Sequence, residues 1–208
     1  MKRQIATLGY MLVCGLCLCG MSAEAQQATK TAPEIVRSSC YMCHSTQGNN
    51  PDLGFIPRLA AQNQTYIEEQ LKAFRDGSRA DPPAMIYMWP IVQALSESQI
   101  KQTAEWFASQ PPPTPFPPSA AASEGKEIFL HGVLDSDVPA CASCHGEKAY
   151  GNGIFPRLAG QNSQYLLAQL LYFRSGVRND KNADIMKQVA LHLTDSQMNA
   201  VADYLSSL

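Results

Sequence analysis

The 208-residue chain has no long basic run, no convincing alternation of apolar and polar residues, and no cysteine to spare. Each lack excludes a class of protein. Without clustered Lys and Arg, at a formal net charge of −2, nothing in the chain suits nucleic acid. Without period-two alternation no stretch reads as a half-buried strand. That leaves an all-α fold and removes the βαβ setting a thioredoxin-like thiol pair requires. Of the seven cysteines, Cys14, Cys17 and Cys19 lie in an N-terminal apolar run and the other four in two short motifs. None remains for a disulfide framework, so small domains here need another source of stability.

The N-terminus sets the compartment. Lys2 and Arg3 precede an apolar run from Ile5 to about Met21, and Ala23-Glu24-Ala25 follows as an A-x-A cleavage pattern. Cleavage after Ala25 gives a mature chain beginning at Gln26 and exported to the periplasm. An uncleaved membrane anchor is the alternative, because the run is only slightly short for a span. Cys14-Gly15-Leu16-Cys17 is followed by Leu18, so these cysteines read as small apolar residues of the export segment.

What the chain does have is one pattern twice: Cys40-Tyr41-Met42-Cys43-His44 and Cys141-Ala142-Ser143-Cys144-His145. C-x-x-C-H is the attachment signature of a c-type haem. Two thiols three positions apart can each add to one vinyl group of the porphyrin, and the adjacent imidazole then sits under the iron. The expectation is two covalently bound haem c groups, held by Cys40, Cys43, Cys141 and Cys144, with His44 and His145 as iron ligands. A zinc ribbon built from the four cysteines would leave the two histidines and the repeated surroundings unexplained.

The repeat extends well beyond the motifs. Phe55-Ile56-Pro57-Arg58-Leu59-Ala60-Ala61-Gln62-Asn63 matches Phe155-Pro156-Arg157-Leu158-Ala159-Gly160-Gln161-Asn162, Tyr66 to Leu71 matches Tyr165 to Leu170, and Phe74-Arg75-Asp76-Gly77 matches Phe173-Arg174-Ser175-Gly176. Capping boxes are expected at Thr31/Glu34, Thr65/Glu68, Ser96/Gln99 and Thr194/Gln197. Between the copies, Pro111 to Ser119 is too rich in proline for helix or sheet and should run as an extended, semi-rigid spacer. The chain therefore divides into a signal peptide 1–25, an N-terminal domain 26–110, a proline-rich linker 111–122 and a C-terminal domain 123–208.

The second axial ligand decides between electron transfer and chemistry on a bound molecule. His131 and His192 do not recur in the first copy and read as a loop residue and a helix-end or surface residue. Met88 and Met186 do recur, each eight residues before the closing helix at Ser96 or Thr194. They are assigned as the distal ligands. Pro57 and Pro156, lacking an N–H, offer carbonyls to the proximal imidazoles. Arg58, Arg157, Tyr66 and Tyr165 are candidate donors to haem propionates, with surface ion pairs and core tyrosines as the plain alternative.

Together the two C-x-x-C-H motifs, the P-R-L-A-x-Q-N segment, the Y-x-x-x-Q-L…F-R-x-G helix and the methionine before the closing helix resemble the cytochrome c4 family across Gln26 to Leu208. The resemblance implies two tandem cytochrome c domains packed about a pseudo-twofold axis. It also implies His/Met ligation at His44 with Met88 and His145 with Met186, and single-electron shuttling in the periplasm without catalysis. Redox partners would be a cytochrome bc complex, a terminal oxidase or a dehydrogenase, with peripheral or anchored membrane association as a variant. The chain departs from the family in its long proline linker and in Trp89-Pro90 directly after Met88. An electron-accepting subunit of a periplasmic dehydrogenase or flavocytochrome is the alternative reading, for which Tyr87, Trp89 and Tyr150 are candidate docking aromatics. A dihaem peroxidase or gas sensor needs an open iron, against which Met88 and Met186 both argue.

Overall fold

The computed structural model describes residues 31–208, so the signal peptide expected at 1–25 lies outside the described residues. Among those residues there is no strand, only the isolated bridges Val133–Val138 and Asn152–Phe155. In the first half a π-helical turn, Val36–Cys40, runs directly into α1 (Tyr41–His44). After α2 (Gln64–Arg75), a second π-helical turn, Ala84–Met88, feeds α3 (Trp89–Val92), and α4 (Glu97–Ala108) closes the half. The second half contains α5 (Ala122–His131), α6 (Ala142–His145), α7 (Ser163–Ser175), α8 (Ala183–Leu191) and α9 (Asp195–Ser206).

Each half buries its own apolar cluster, which makes two tandem all-α domains. Ile67, Leu71 and Phe74 of α2 meet Ile100, Ala104 and Phe107 of α4 in one cluster. In the other, Leu166, Leu170 and Phe173 of α7 meet Met198, Val201 and Leu205 of α9. The recurrence every three to four residues places each set on one helix face, as the sequence stripes predict. Where α5 crosses α9, Gly125 permits a very close approach: a Cβ there would collide with the Ala200 carbonyl oxygen.

Local signals fared unequally. The boxes at Ser96/Gln99 and Thr194/Gln197 both form. The Thr65/Glu68 box does not, because α2 starts two residues earlier than that box requires, with Asn63 as N-cap, and Asn63 spends its side chain on the other half. The first helical segment opens without a side-chain cap; Val36 N and Arg37 N donate to the Pro33 carbonyl at 3.0 and 3.1 Å. His131, expected in a loop, ends α5.

The proline-rich segment is strapped to the protein instead of standing clear as a spacer. Pro113 is buried, Arg58 Nη1 donates to the Thr114 carbonyl (2.8 Å), and Phe116 N donates to the Ser206 carbonyl (3.0 Å). The Arg58 guanidinium lies 3.9 Å over the Phe116 ring. One arginine of the first half thus stacks on a segment that hydrogen-bonds to the last helix of the second.

Candidate haem sites

Short helices α1 and α6 end on His44 and His145, and both imidazoles are buried. His44 Nδ1 lies 3.0 Å from the Pro57 carbonyl oxygen, and His145 Nδ1 lies 3.1 Å from that of Pro156. A carbonyl only accepts, so the proton is on Nδ1 and the lone pair is left on Nε2. Burial pulls both imidazoles below their usual pKa, outweighing the hydrogen bond to proline, so the neutral, ligating form is the resting one. The intervening loops are pinned alike. The Gly48 carbonyl accepts from Leu59 N and Ala60 N at 2.7 and 3.0 Å, and the Ala149 carbonyl from Leu158 N and Ala159 N at 2.8 and 3.1 Å. Gly48 has φ of +75°, and a Cβ there would meet the Phe107 ring at 2.7 Å.

Burial pushes the Cys40 and Cys141 thiols up to about 11, away from the thiolate that redox exchange or zinc binding uses. Among the described residues no three His, Cys, Asp or Glu side chains converge to hold a metal ion. A zinc ribbon built from the four cysteines therefore has no geometric support.

Met88 and Met186 reach corresponding places by different helical geometry. Met88 comes seven positions after buried Asp81, whereas Met186 comes six after Asp180. The extra residue is absorbed by the π-helical turn Ala84–Met88, where the second half has ordinary α-helix, α8. One continuous cavity is lined by Cys40, Cys43, His44 and Met88 of the first half and by Cys141, Cys144, His145 and Met186 of the second. The structure thus brings each C-x-x-C-H motif and its methionine to the same cavity.

The cavity fits haem on its own terms. Its walls are largely apolar, from Ile67, Leu71 and Phe74 in one half to Leu166, Leu170 and Phe173 in the other. Arg58 also lines it, and Arg58 Nε is buried with no hydrogen-bond partner, a cationic donor suited to a carboxylate. Arg157 lies 4.3 Å over the Tyr150 ring and donates from Nε to the Ala159 carbonyl, so these paired arginines have diverged in use. Neither is the surface ion pair that the plain alternative supposes.

Between the halves lies a polar network that the sequence reading missed. Arg79 donates to Asp81 Oδ1 (2.8 Å), Gln70 Oε1 (2.6 Å) and Gln169 Oε1 (2.8 Å), and Arg178 to Asp180 Oδ1 (2.9 Å), Gln169 Oε1 (2.7 Å) and Gln70 Oε1 (2.9 Å). Each arginine also reaches a tyrosine hydroxyl across the interface, Tyr165 from Arg79 and Tyr66 from Arg178. Both Asp, both Gln and both Arg are buried, and two guanidiniums meet two carboxylates. The signal was available: Arg-x-Asp stands five residues after Phe74 and again after Phe173. His131 and His192 are exposed and lie away from the cavity, while Tyr87, Trp89 and Tyr150 are exposed as docking aromatics would be.

Comparison with known proteins agrees with this architecture. The family model "Cytochrome c" matches residues 122–208. The chain is 45% identical over 189 residues to cytochrome c-552 of Acidithiobacillus ferridurans, covering 90% of this chain and 81% of that one. It is 37% identical over 188 residues to the thiosulfate dehydrogenase electron acceptor of Thiomonas intermedia (strain K12), covering 88% and 84%. The solved cytochrome c4 of Acidithiobacillus ferrooxidans superposes with a TM-score of 0.76 at 46% identity, over 81% of this chain and 98% of that one. With two C-x-x-C-H motifs in two tandem helical domains, the chain belongs to the cytochrome c4 family of electron-transferring cytochromes that carry two covalently bound haem c groups.

Proposed function

We propose that the protein is an exported, periplasmic carrier of single electrons in a respiratory chain, with no substrate of its own to turn over. Cys40 and Cys43 hold the first haem and Cys141 and Cys144 the second; the irons are ligated by His44 with Met88 and by His145 with Met186. Residues 26–110 and 123–208 are the two domains, joined by 111–122 and preceded by a signal peptide at 1–25. The observation that carries this is the doubled proximal arrangement, in which a proline carbonyl fixes Nδ1–H and leaves Nε2 free in a cavity that also receives a methionine. Haem supplies the one-electron couple. The protein's part would be to offer each iron a histidine and a methionine, keep water out with an apolar wall, and satisfy the carboxylates with Arg58 and the interfacial arginines. Arg79 and Arg178 each use four of their five donors on protein, leaving one for that purpose.

The test is an optical and redox titration of the mature protein with and without carbon monoxide. Two low-spin haems with the methionine-to-ferric charge-transfer band and no carbon monoxide shift are expected. Met88→Ala and Met186→Ala should each remove the band from one haem and open that iron to carbon monoxide. If the band survives both substitutions, the ligands are misassigned.

A second reading is that the protein accepts electrons directly from a dehydrogenase, and one observation favours it. Met85, Ile86 and Trp89 are exposed beside the first site, in a segment, residues 82–96, that has no charged side chain. Such a face suits stable docking on an apolar surface. Mixing the oxidised protein with thiosulfate and the thiosulfate dehydrogenase of Thiomonas intermedia would reduce both haems within the enzyme's turnover time on this reading, and leave them ferric otherwise.

A further inference from the structure

The two closing helices present the same two positions to the haem cavity, and one of those positions differs in chemistry. With Glu97 aligned on Asp195, α4 offers Thr103 and Phe107 to the cavity, and α9 offers Val201 and Leu205. Thr103 and Val201 have the same shape and nearly the same burial, 3% and 4% exposed. They differ by one hydroxyl. A buried threonine within a helix ordinarily satisfies that hydroxyl by donating to the carbonyl one turn back. Thr103 Oγ1 does not: it is buried and has no hydrogen-bond partner in the protein. A buried hydroxyl without an acceptor is costly, and valine would fit as well without that cost. Its retention at a position facing the cavity points to an acceptor that arrives with the haem.

We propose that the Thr103 hydroxyl donates a hydrogen bond into the first haem site and raises the reduction potential of that haem, while Val201 leaves the second haem without such a bond. The inference rests on the placement of the haems given above. The sign follows from the donor. An O–H directed at the haem turns the positive end of a dipole toward a centre that becomes more negative on reduction, which favours the ferrous state. Val92, Leu95 and Phe107 line the cavity in the same half, and none of them offers an acceptor that competes for that hydroxyl. The acceptor is an electron-rich atom of the bound haem, because no protein acceptor, the Met88 sulfur included, lies within hydrogen-bond reach of Thr103 Oγ1. The pair Thr103/Val201 thus makes two otherwise duplicated sites unequal, which gives an electron a preferred resting haem.

The test is a redox titration of the holoprotein, followed in the visible and near-infrared, for Thr103→Val, Val201→Thr and the parent. Thr103→Val is expected to lower one potential, shifting that haem's ferrous-to-ferric ratio by about three- to tenfold at fixed applied potential, as a single net hydrogen bond would; a tenfold shift is ~59 mV for one electron. Val201→Thr is expected to raise the other potential. The methionine-to-ferric band is expected to stay in place in Thr103→Val, because the hydroxyl's acceptor belongs to the haem and not to Met88. Unchanged potentials, a rise in Thr103→Val, or one potential responding to both substitutions would overturn the proposal, since a purely structural hydroxyl changes stability and not potential. Failure of the parent to show two methionine-ligated haems would instead defeat the underlying haem assignment.

Discussion

Gln62 and Arg157 form a closed two-bond pair across the two halves: Arg157 N donates to Gln62 Oε1 at 2.7 Å, and Gln62 Nε2 donates to the Arg157 carbonyl at 2.9 Å. Gln161 treats Arg58 identically, at 2.7 and 2.9 Å. An amide side chain is the one type that can both accept and donate in this spacing, so it stands in for a strand neighbour where no sheet exists. Asn63 and Asn162 extend the exchange by donating to the carbonyls of Phe155 and Ile56, each at 2.6 Å. Reciprocal contacts of this kind are what an isologous interface produces, here between two domains of one chain.

Gln161→Leu keeps the approximate size and removes the exchange. It would leave the N–H and carbonyl of Arg58 and the N–H of Asn162 without their partner. At about 1–3 kcal/mol for each buried group left unsatisfied, a loss of at least ~2 kcal/mol is expected. Guanidinium unfolding of the holoprotein, followed by haem absorbance, should show a lower midpoint and separate transitions for the two domains. An unchanged single transition would mean that the pair contributes little to holding the halves together.

How much of this was legible beforehand depends on what kind of signal each residue leaves. The haem motifs, the closing-helix caps and the two methionines were readable because they are local or recur at fixed spacing. The proline carbonyls were readable because only proline lacks an N–H to occupy them. The interface was not, although Gln62, Asn63, Gln70 and their copies were visible as repeats, because a repeat shows that a residue is needed without showing which half it serves. The Thr65/Glu68 box failed for the same reason: Asn63 looked like part of a loop until its cross-domain bond was seen. The strapped linker rests on Arg58 contacts that Arg157 lacks, and asymmetry of that kind leaves no periodic trace.

Acid stability should report on the buried network. Burial alone would raise the Asp180 carboxyl, but the charge and hydrogen bond of Arg178, with Gln70 and Arg79 behind them, hold it below the usual carboxylate range. A carboxyl depressed in the folded state stabilises the fold fully above its unfolded value of about 3.9, and that contribution is lost as pH falls through the lower folded value. Asp180→Asn should therefore be less stable than the parent at pH 6, where it leaves Arg178 without its nearest anion, and should lose less on going from pH 5 to pH 2. A breaking cost of about 3–5 kcal/mol is the upper range for such a buried pair. Parallel stability curves for the two proteins would show that Asp180 is not the group that titrates.

Gly125→Ala sets helix propensity against packing. In an isolated helix alanine would gain about 1 kcal/mol over glycine. In α5 its methyl would collide with the Ala200 carbonyl oxygen, so α5 and α9 would have to separate. Overpacking of this kind costs about 1–3 kcal/mol, enough to reverse the propensity gain. Thermal unfolding should shift downward for the C-terminal domain; an upward shift would show that the helices cross less closely than described.

Charge makes the segments beside the two sites unlike. Residues 82–96 have none, whereas the corresponding stretch contains Lys181, Asp184 and Lys187. Bringing Met85, Ile86 and Trp89 against a partner buries apolar surface without stripping water from an ion, so the favoured counterpart is itself uncharged. A gold electrode under a methyl-terminated monolayer provides such a counterpart without requiring a biological partner. Ile86→Glu places a charge in the middle of the face and should slow electron transfer from that electrode by about threefold or more, with both reduction potentials unchanged. Leu191→Glu, another apolar-to-charged change at an exposed position, in the second half, should leave the rate as it was. If the two substitutions slow transfer alike, electrons enter without preference for the first haem, and the uncharged face has no part in choosing the route.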